Sequence, residues 1–194
     1  MKTNRREFIL KSMGITAGIP LAFHPDQSLM FPGDDRLNWS SSGDTLPISV
    51  FSKHLQWLNY ADMGVVAAEM GFDGIDLTVR TGGHVLPERV TDDLPKAVEA
   101  VRKAGLNVFM ITTGIKSADE SHTESILKTA SALGIQHYRM GYYNYAETKR
   151  IDEDLDVFQK QLTTLAALNK KYKIYGEYQN HSGSYFGAAI WDLY

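Results

Sequence analysis

The sequence predicts an α/β fold built from about five parallel strand-helix units. From Pro47 onward, a short apolar run, a polar loop, an amphipathic helical stretch and a glycine recur at roughly 30-residue spacing. Gly71, Gly105 and Gly134 stand where helical stretches end, and glycine readily takes the left-handed conformation that closes a helix. Strands and helices that alternate in this way form a parallel sheet with right-handed crossovers.

The individual elements follow from the apolar pattern. The predicted strands cover residues 48–51, 74–79, 107–112, 136–140 and 173–178. The first two helices are expected to begin near Asn59 and at a cap on Thr91. The next two are expected at residues 118–133 and 152–171, each with one apolar stripe. Pro95 is expected in the first turn of the second helix, where its missing amide proton leaves no hydrogen bond unmade.

The segment before Pro47 has a different composition. Residues 1–24 combine Arg5 and Arg6 with an apolar run too short to span a bilayer, and they resemble a twin-arginine export signal. This resemblance implies an exported, periplasmic protein that is free of the membrane after signal removal; the alternative is a basic amphipathic arm. Residues 25–46 are rich in Ser, Gly, Asp and Pro, which predicts a linker to the folded part, residues 47–194.

Composition limits the possible functions. The 194 residues are 43% hydrophobic and 22% charged, which predicts one globular domain. A net charge of −3 gives no basic surface for phosphate backbones, so no nucleic-acid partner is expected. The absence of cysteine excludes disulfides and thiolate metal sites, and any metal would be held by oxygen and imidazole ligands.

The most polar strand end follows the fifth predicted strand. Glu177, Gln179, Asn180 and His181 stand close together before a glycine-containing loop. In parallel α/β folds ligands bind at the carboxyl ends of the strands, so this cluster predicts a binding site. The alternative is an ordinary turn with solvated polar groups.

Three stretches resemble the xylose isomerase-like TIM barrels. This superfamily contains sugar-phosphate isomerases and epimerases, tagatose-type epimerases and a DNA-repair endonuclease branch. The stretches are GFDGIDLTVR at 71–80, AGL at 104–106 and GEYQNH at 176–181. In sugar epimerases of this group, a Glu at the end of the fifth strand, followed three residues later by Asn, binds a divalent metal and takes part in proton transfer. Glu177 and Asn180 match that spacing.

The resemblance implies a metal-assisted sugar isomerase or epimerase. Glu177 is the expected catalytic residue and metal ligand, because a carboxylate can act as a base or hold a cation that stabilises an enediolate. Mn²⁺ or Mg²⁺ suits oxygen and imidazole ligands, with Zn²⁺ also possible. A non-catalytic carbohydrate-binding or assembly module is the alternative, and an endonuclease-like member is the third choice. The expected partners are a small sugar or sugar derivative and a further copy of the chain in a homo-oligomer.

Further substrate-binding residues are expected in the loops at the same end of the sheet. Aromatic side chains there would stack on a sugar or pack in the core, and loop histidines would contact substrate or hold the loops. The predicted substrate-binding residues are His54, Trp57, His84, Tyr142, Asn180 and His181. Tyr143 is a further stacking candidate, whereas His122 and His137 are expected away from this end.

The length departs from the family pattern. An eight-stranded barrel needs about 250 residues, and this chain has room for five strands. In the family, the remaining metal ligands come from strands six to eight. The expectation is therefore an incomplete barrel, the N-terminal portion of a longer one, and an enzyme only if a full-length chain completes it.

Overall fold

The alternating strands and helices are present in the structure, a computed structural model that describes residues 46–148 and 150–193. The strands are β1 (Ser49–Phe51), β2 (Gly74–Val79), β3 (Asn107–Thr113), β4 (His137–Arg139) and β5 (Tyr175–Glu177). The α-helices are α1 (Tyr60–Glu69), α2 (Val90–Lys103), α3 (Thr123–Ala132) and α4 (Ile151–Tyr172). Three short 3₁₀ turns cover Ser52–Leu55, Pro87–Arg89 and Ile190–Leu193. The predicted export signal and all but the last residue of the predicted linker lie outside the described residues.

The five strands form one parallel sheet whose spatial order, β1-β2-β3-β4-β5, is their order in the chain. Every neighbouring pair is parallel. This arrangement confirms the prediction of a parallel sheet of five strands that alternate with helices, and it places all strand carboxyl ends at one edge of the sheet.

The two sheet faces differ in what covers them. Ile75, Leu77 and Val79 of β2 are fully buried in the hydrophobic core. On β4, the hydroxyl of Tyr138 donates a hydrogen bond of 3.0 Å to Oδ1 of Asn169 on α4, so this side chain points toward the helix layer. Successive side chains of a strand alternate between faces. The residues on either side of Tyr138 therefore point to the opposite face.

The helix ends follow the glycine pattern. Gly71, Gly105 and Gly134 have φ angles of 84°, 81° and 80°, in the left-handed region. The longest helix, α4, instead closes at Lys173, which has a φ of 52°. Among the described residues, no helix is both long enough and apolar enough to span a membrane.

Two predicted helix starts are wrong. The cap prediction at Thr91 fails because α2 already begins at Val90, directly after the 3₁₀ turn Pro87–Arg89. Pro95 therefore lies inside the helix rather than in its first turn. The third helix begins five residues later than predicted, because His122 takes a left-handed conformation with a φ of 71° and ends the preceding turn.

Candidate functional site

The sheet face that points away from the helices carries most of the polar strand residues, and we call it the polar face. One cross-strand row on this face consists of Phe51, Asp76, Met110, His137 and Tyr175. The next row, nearer the carboxyl ends of the strands, consists of Thr78, Thr112, Arg139 and Glu177. The parallel register therefore gathers acidic, basic and aromatic side chains from all five strands.

Glu177 lies beside a histidine on the neighbouring strand. Its Oε1 is 2.8 Å from Nδ1 of His137. The two side chains are 54% and 49% exposed, so both are accessible to a ligand. The ring of His137 also stacks on Tyr175, with 5.4 Å between the ring centres. The expectation that His137 lies away from the site is thus wrong, because residues 137 and 177 project from adjacent strands to the same face.

Arg139, at the end of β4, contacts several side chains of the polar face and of the loops beyond it. Its Nη1 donates a hydrogen bond of 2.7 Å to Oε1 of Gln179. The guanidinium carbon lies 5.5 Å from the ring centre of Phe51 and 5.6 Å from that of Tyr142. These distances are typical of cation-π contacts. The buried Nε of Arg139 has no hydrogen-bond partner in the described part of the chain.

Aromatic side chains surround the mouth of the site beyond the last strands. The hydroxyl of Tyr142 donates to Oε1 of Gln179 at 2.9 Å, so Tyr142 and Arg139 share one acceptor. The rings of Tyr142, His181 and Tyr185 contact one another, each pair with centres 5.2 Å apart. Nδ1 of His181 lies 2.8 Å from the carbonyl oxygen of Ser182. The predicted residues Tyr142 and His181 are therefore neighbours in space.

Asp76 is a partly buried carboxylate in the same region. The hydroxyl of Thr112 is 2.8 and 2.9 Å from its two carboxylate oxygens. Burial raises the pKa of Asp76, while the Thr112 hydrogen bond and the charges of Arg139 and Arg80 act in the opposite direction. Arg80, just past β2, lies with its guanidinium carbon 5.9 Å from the ring centre of Phe51.

The remaining predicted residues take different positions. His54 places its ring edge against Phe51, with 5.9 Å between ring centres. It therefore lies next to an aromatic ring that is itself near Arg139. Trp57 is 75% exposed in the loop before α1. Asn180 is exposed in the loop after β5. Tyr143 is 3% exposed and packs in the core, with its ring centre 4.7 Å from that of Phe158.

His84 uses its ring to hold two loops together. Its Nδ1 lies 3.3 Å from Oγ1 of Thr78, and its Nε2 lies 3.2 Å from the carbonyl oxygen of Leu55. The hydroxyl of Tyr60 donates to the backbone carbonyl of His84 at 3.0 Å. Burial lowers the pKa of the imidazole, which favours its neutral form.

His122 lies at another part of the carboxyl edge. It lines a cavity of about 560 Å³ between the loops after β2 and β3, together with Arg80, Lys116 and Glu120. The expectation that His122 lies away from this edge is therefore wrong, because it precedes α3 instead of lying within the helix.

The described residues do not form a complete metal site. No three His, Asp or Glu side chains within 46–148 and 150–193 are placed to hold a metal ion together. Glu177 and His137 offer two donors, which contact each other. Mg²⁺ takes about six ligands in near-octahedral geometry. The metal that the family resemblance implies thus lacks a sufficient set of ligands among these residues.

Comparison with known proteins identifies solved structures with a similar fold. No protein-family model matches the chain, and no curated protein matches it. The epimerase for 3-keto-D-glucoside from E. coli, which acts at position 4, matches with a TM-score of 0.57 and 14% identity, over 73% of this chain and 58% of that one. The probable 3-DHS dehydratase of petrobactin synthesis from Bacillus anthracis matches with a TM-score of 0.55 and 13% identity. The match covers 72% of this chain and 54% of the dehydratase.

A third structure was solved with magnesium. It is a xylose isomerase-like TIM barrel protein from Mycobacterium smegmatis, with a TM-score of 0.53 and 14% identity, over 77% of this chain and 60% of that one. The chain spans 54% to 60% of the length of these three structures. At such identities the likeness concerns the fold alone. The solved structures that resemble this chain in fold thus include a sugar epimerase and a protein described as a xylose isomerase-like TIM barrel.

Proposed function

We propose that this chain is a sugar isomerase-like or epimerase-like protein that binds its ligand on the polar face of the sheet. The observation that carries this proposal is the contact of 2.8 Å between Glu177 and His137, two accessible acid-base groups on that face. The fold of the structural neighbours, which include sugar epimerases, supports the same class of reaction.

Glu177 is suited to act as the base. Its carboxylate takes a proton from the carbon next to a sugar carbonyl, and the electron pair of that C-H bond moves toward the carbonyl oxygen, giving an enediolate. Return of a proton to the same face of that carbon completes hydrogen exchange, and its return to the opposite face inverts the configuration of the carbon. His137 orients the carboxylate through its Nδ1.

A divalent metal, Mn²⁺ or Mg²⁺, would supply positive charge for the enediolate oxygens when bound. The described residues contribute only Glu177 and His137 toward it, so no step here depends on the metal.

The aromatic mouth of the site fits a sugar ring. Tyr142, Tyr185 and His181 form a cluster beside Arg139 and Gln179, so apolar ring faces stand next to hydrogen-bonding groups. A monosaccharide has the same combination, with apolar C-H surfaces edged by hydroxyl groups. His54 extends the aromatic surface through its contact with Phe51, whose ring lies near Arg139.

The second candidate is a carbohydrate-binding protein without catalysis. It is favoured by the absence of a three-residue metal-ligand group within the described ranges. It is also favoured by the neutral amide of Gln179, which takes hydrogen bonds from Arg139 and Tyr142 at the mouth of the site. Both candidates use the polar face, and they differ in whether Glu177 removes a proton.

The first prediction tests this difference with a substitution at Glu177. The chain is incubated in D₂O with D-tagatose, D-allulose or D-fructose, with and without Mn²⁺, and NMR follows exchange of the proton next to the carbonyl. Glu177→Gln keeps the size of the side chain but removes the base, so the exchange rate should fall at least about a hundredfold. The fold should be retained, because Glu177 is 54% exposed.

The matched control is Glu99→Gln on the outer surface of α2. Glu99 is paired with Lys103 at 2.6 Å, and an exposed pair of this kind contributes little to stability. The Glu99→Gln variant should exchange the proton at the same rate as the wild type. Sugar binding without exchange would favour the second candidate, and the absence of both would reject the polar face as a sugar site.

A further inference from the structure

Arg139 and Glu177 are neighbours in the sheet, but they do not pair with each other. The register of β4 and β5 places them directly opposite each other on the polar face. Neighbouring strands lie about 4.8 Å apart, so an arginine and a glutamate in these positions are close enough to form an ion pair. Instead, Glu177 contacts Nδ1 of His137, and Arg139 donates to Gln179. Among the described residues, no ion pair joins Arg139 to an acidic side chain.

The separate partners keep a base and a cation side by side without neutralising each other. A direct ion pair would occupy both groups before a substrate arrives. Because Glu177 and Arg139 are drawn to different neighbours, a carbonyl compound can enter between them, with its acidic carbon against the carboxylate and its oxygen against the guanidinium. This is the order of groups that proton removal next to a carbonyl requires.

Gln179 is oriented by two donors. Nη1 of Arg139 and the hydroxyl of Tyr142 donate to its Oε1 at 2.7 and 2.9 Å. Only the oxygen of an amide accepts hydrogen bonds, so these contacts fix the orientation of the group and direct Nε2 away from both donors. In the part of the chain that the structure describes, Nε2 has no hydrogen-bond partner. Gln179 thus offers an N-H donor to a ligand beside Arg139.

Arg139 is held in place by aromatic rings. Its guanidinium carbon lies 5.5 and 5.6 Å from the ring centres of Phe51 and Tyr142. Within the described ranges its Nη atoms donate to Gln179 alone, which leaves further N-H groups for a ligand. Donors that are already fixed in position stabilise a developing negative charge without rearranging during the reaction.

We propose that Arg139 and Gln179 form an oxyanion site that stabilises the enediolate, so that proton removal by Glu177 proceeds without a metal ion. This inference rests on the proposed function, because it assigns two further residues to the same reaction. Tyr142 is a positioning residue in this arrangement, because it acts through Gln179.

The proposed step uses only groups of the site and the substrate. Glu177 takes the proton from the carbon, the electron pair of the C-H bond forms a carbon-carbon double bond, and the π electrons of the carbonyl move to its oxygen. That oxygen then carries the negative charge and accepts hydrogen bonds from an Nη of Arg139 and from Nε2 of Gln179. Both donors keep their protons throughout, and return of the proton to carbon reverses the electron shift.

A divalent metal is the other means of stabilising an enediolate oxygen. Among the described residues, Glu177 and His137 are the two metal donors at this place, and they contact each other without forming a group of three ligands. Arg139 carries its positive charge in the same cross-strand row as Glu177. The donor set described here therefore fits a guanidinium and amide oxyanion site better than a metal site.

A purely structural role for Gln179 predicts a different response to substitution. Gln179→Glu keeps oxygen acceptors for Arg139 and Tyr142 but removes the N-H donor and adds a negative charge. If Gln179 only holds these two side chains, this variant should exchange the substrate proton at the wild-type rate. If it donates to the enediolate oxygen, kcat for exchange should fall about a hundredfold or more while KM changes little, because the donor acts mainly in the transition state.

The experiment measures exchange of the proton next to the carbonyl of D-tagatose, D-allulose and D-fructose in D₂O, by NMR, with EDTA and separately with Mn²⁺. The wild type should exchange at similar rates in both. Arg139→Ala should lower the rate at least about a hundredfold, and free guanidinium at a concentration too low to unfold the protein should restore part of it. Arg102→Ala is the matched control, because Arg102 donates to the carbonyl of Leu133 outside the polar face. Its rate should match the wild type with and without guanidinium.

Circular dichroism and thermal melts establish that each variant folds. If Arg139→Ala does not fold, Arg139→Lys provides the test, because it keeps the charge but loses the planar fork and should slow exchange at least about tenfold. Exchange that occurs with Mn²⁺ but not with EDTA would overturn the oxyanion site and leave the proposed function in place. A wild-type rate in Gln179→Glu or in the Arg139 variant would do the same. No exchange by the wild type under either condition would overturn both.

Discussion

His84, in the loop after β2, contacts the end of β2 with one ring nitrogen and the chain after β1 with the other. One nitrogen faces the hydroxyl of Thr78 and the other faces the carbonyl of Leu55. These contacts surround the ring with groups that suit a neutral imidazole in a partly buried place. His84 therefore shapes the carboxyl edge of the sheet, whatever it contributes to ligand binding.

The pH dependence of stability should reveal this role. Because burial lowers the folded-state pKa of His84, the unfolded chain binds a proton on this residue more tightly than the folded chain does. Its neutral form is favoured in both states above a pH of about 6.5, and stability falls as the pH drops through that value toward the lower folded-state pKa. His84→Gln, which does not titrate, should show a smaller loss between pH 7 and pH 5, measured as the midpoint of urea unfolding.

The other histidines serve as an internal control, because they are present in both the wild type and the His84→Gln variant. If the two proteins lose stability in parallel, the burial of His84 does not contribute to acid sensitivity.

The residues of the site differ in how far the sequence alone identifies them. Glu177 is recognisable because it follows a β-prone run and stands in a polar cluster. His137 and Arg139 are harder to recognise, because β4 is short and their importance depends on pairing with β5. The sequence nevertheless contains an alternating pattern in both strands. In β4, His137 and Arg139 stand on either side of the buried Tyr138. In β5, Tyr175 and Glu177 stand on either side of Gly176. Only the register shows that these two alternating segments share a face.

At the scale of elements, the loops after β3 and β4 pack directly against each other. The amide of Gly141 donates to the carbonyl of Ile115 at 2.8 Å. A Cβ atom on Gly141 would lie 2.4 Å from the carbonyl oxygen of Gly114, well inside contact distance. This approach brings the chain after β4, including Tyr142, close to the chain after β3.

Gly141→Ala should therefore destabilise the fold and disturb the mouth of the site. The methyl group meets backbone atoms that cannot move away by changing rotamer, so we expect a loss of about 1–3 kcal/mol in the free energy of unfolding. Urea unfolding provides the measurement. Gly114→Ala is the control, because a Cβ there meets no atom within 4 Å. Equal stability of the two variants would contradict a rigid contact between these loops.

The elements themselves were predictable where the physical signal is local. Apolar spacing indicates all four helices, and the glycines mark three of their ends, because both depend on nearby residues. The start of α3 was not predictable in this way. It depends on a turn in which Thr123 donates to the carbonyl of Ser117 and the amide of Lys116 donates to Glu120. The register shift between Ile75 and Asp76 likewise depends on pairing with β3.

At the scale of the whole molecule, apolar surface is concentrated beside the last strand. A groove of about 580 Å³ lies between α4 and the C-terminal 3₁₀ turn, where Leu155 and Leu162 face Phe186 and Trp191. Trp191 is 78% exposed. In the described part of the chain, β5 pairs only with β4, so its other edge presents unpaired backbone groups. An apolar groove beside a sheet edge favours association with another polypeptide.

We expect the purified chain to self-associate through this surface. Sedimentation velocity over a range of concentrations should show a shift from monomer to larger species. Trp191→Ser removes a large apolar side chain from the groove, so it should weaken association by roughly tenfold or more, as is common for a buried interface tryptophan. Trp57→Ser is a close control, because Trp57 is 75% exposed but lies in the loop before α1. It should leave association unchanged, since general surface hydrophobicity falls by the same amount in both variants. Similar weakening by both substitutions would indicate nonspecific aggregation, and a monomer at all concentrations would show that the groove and the edge of β5 do not mediate assembly.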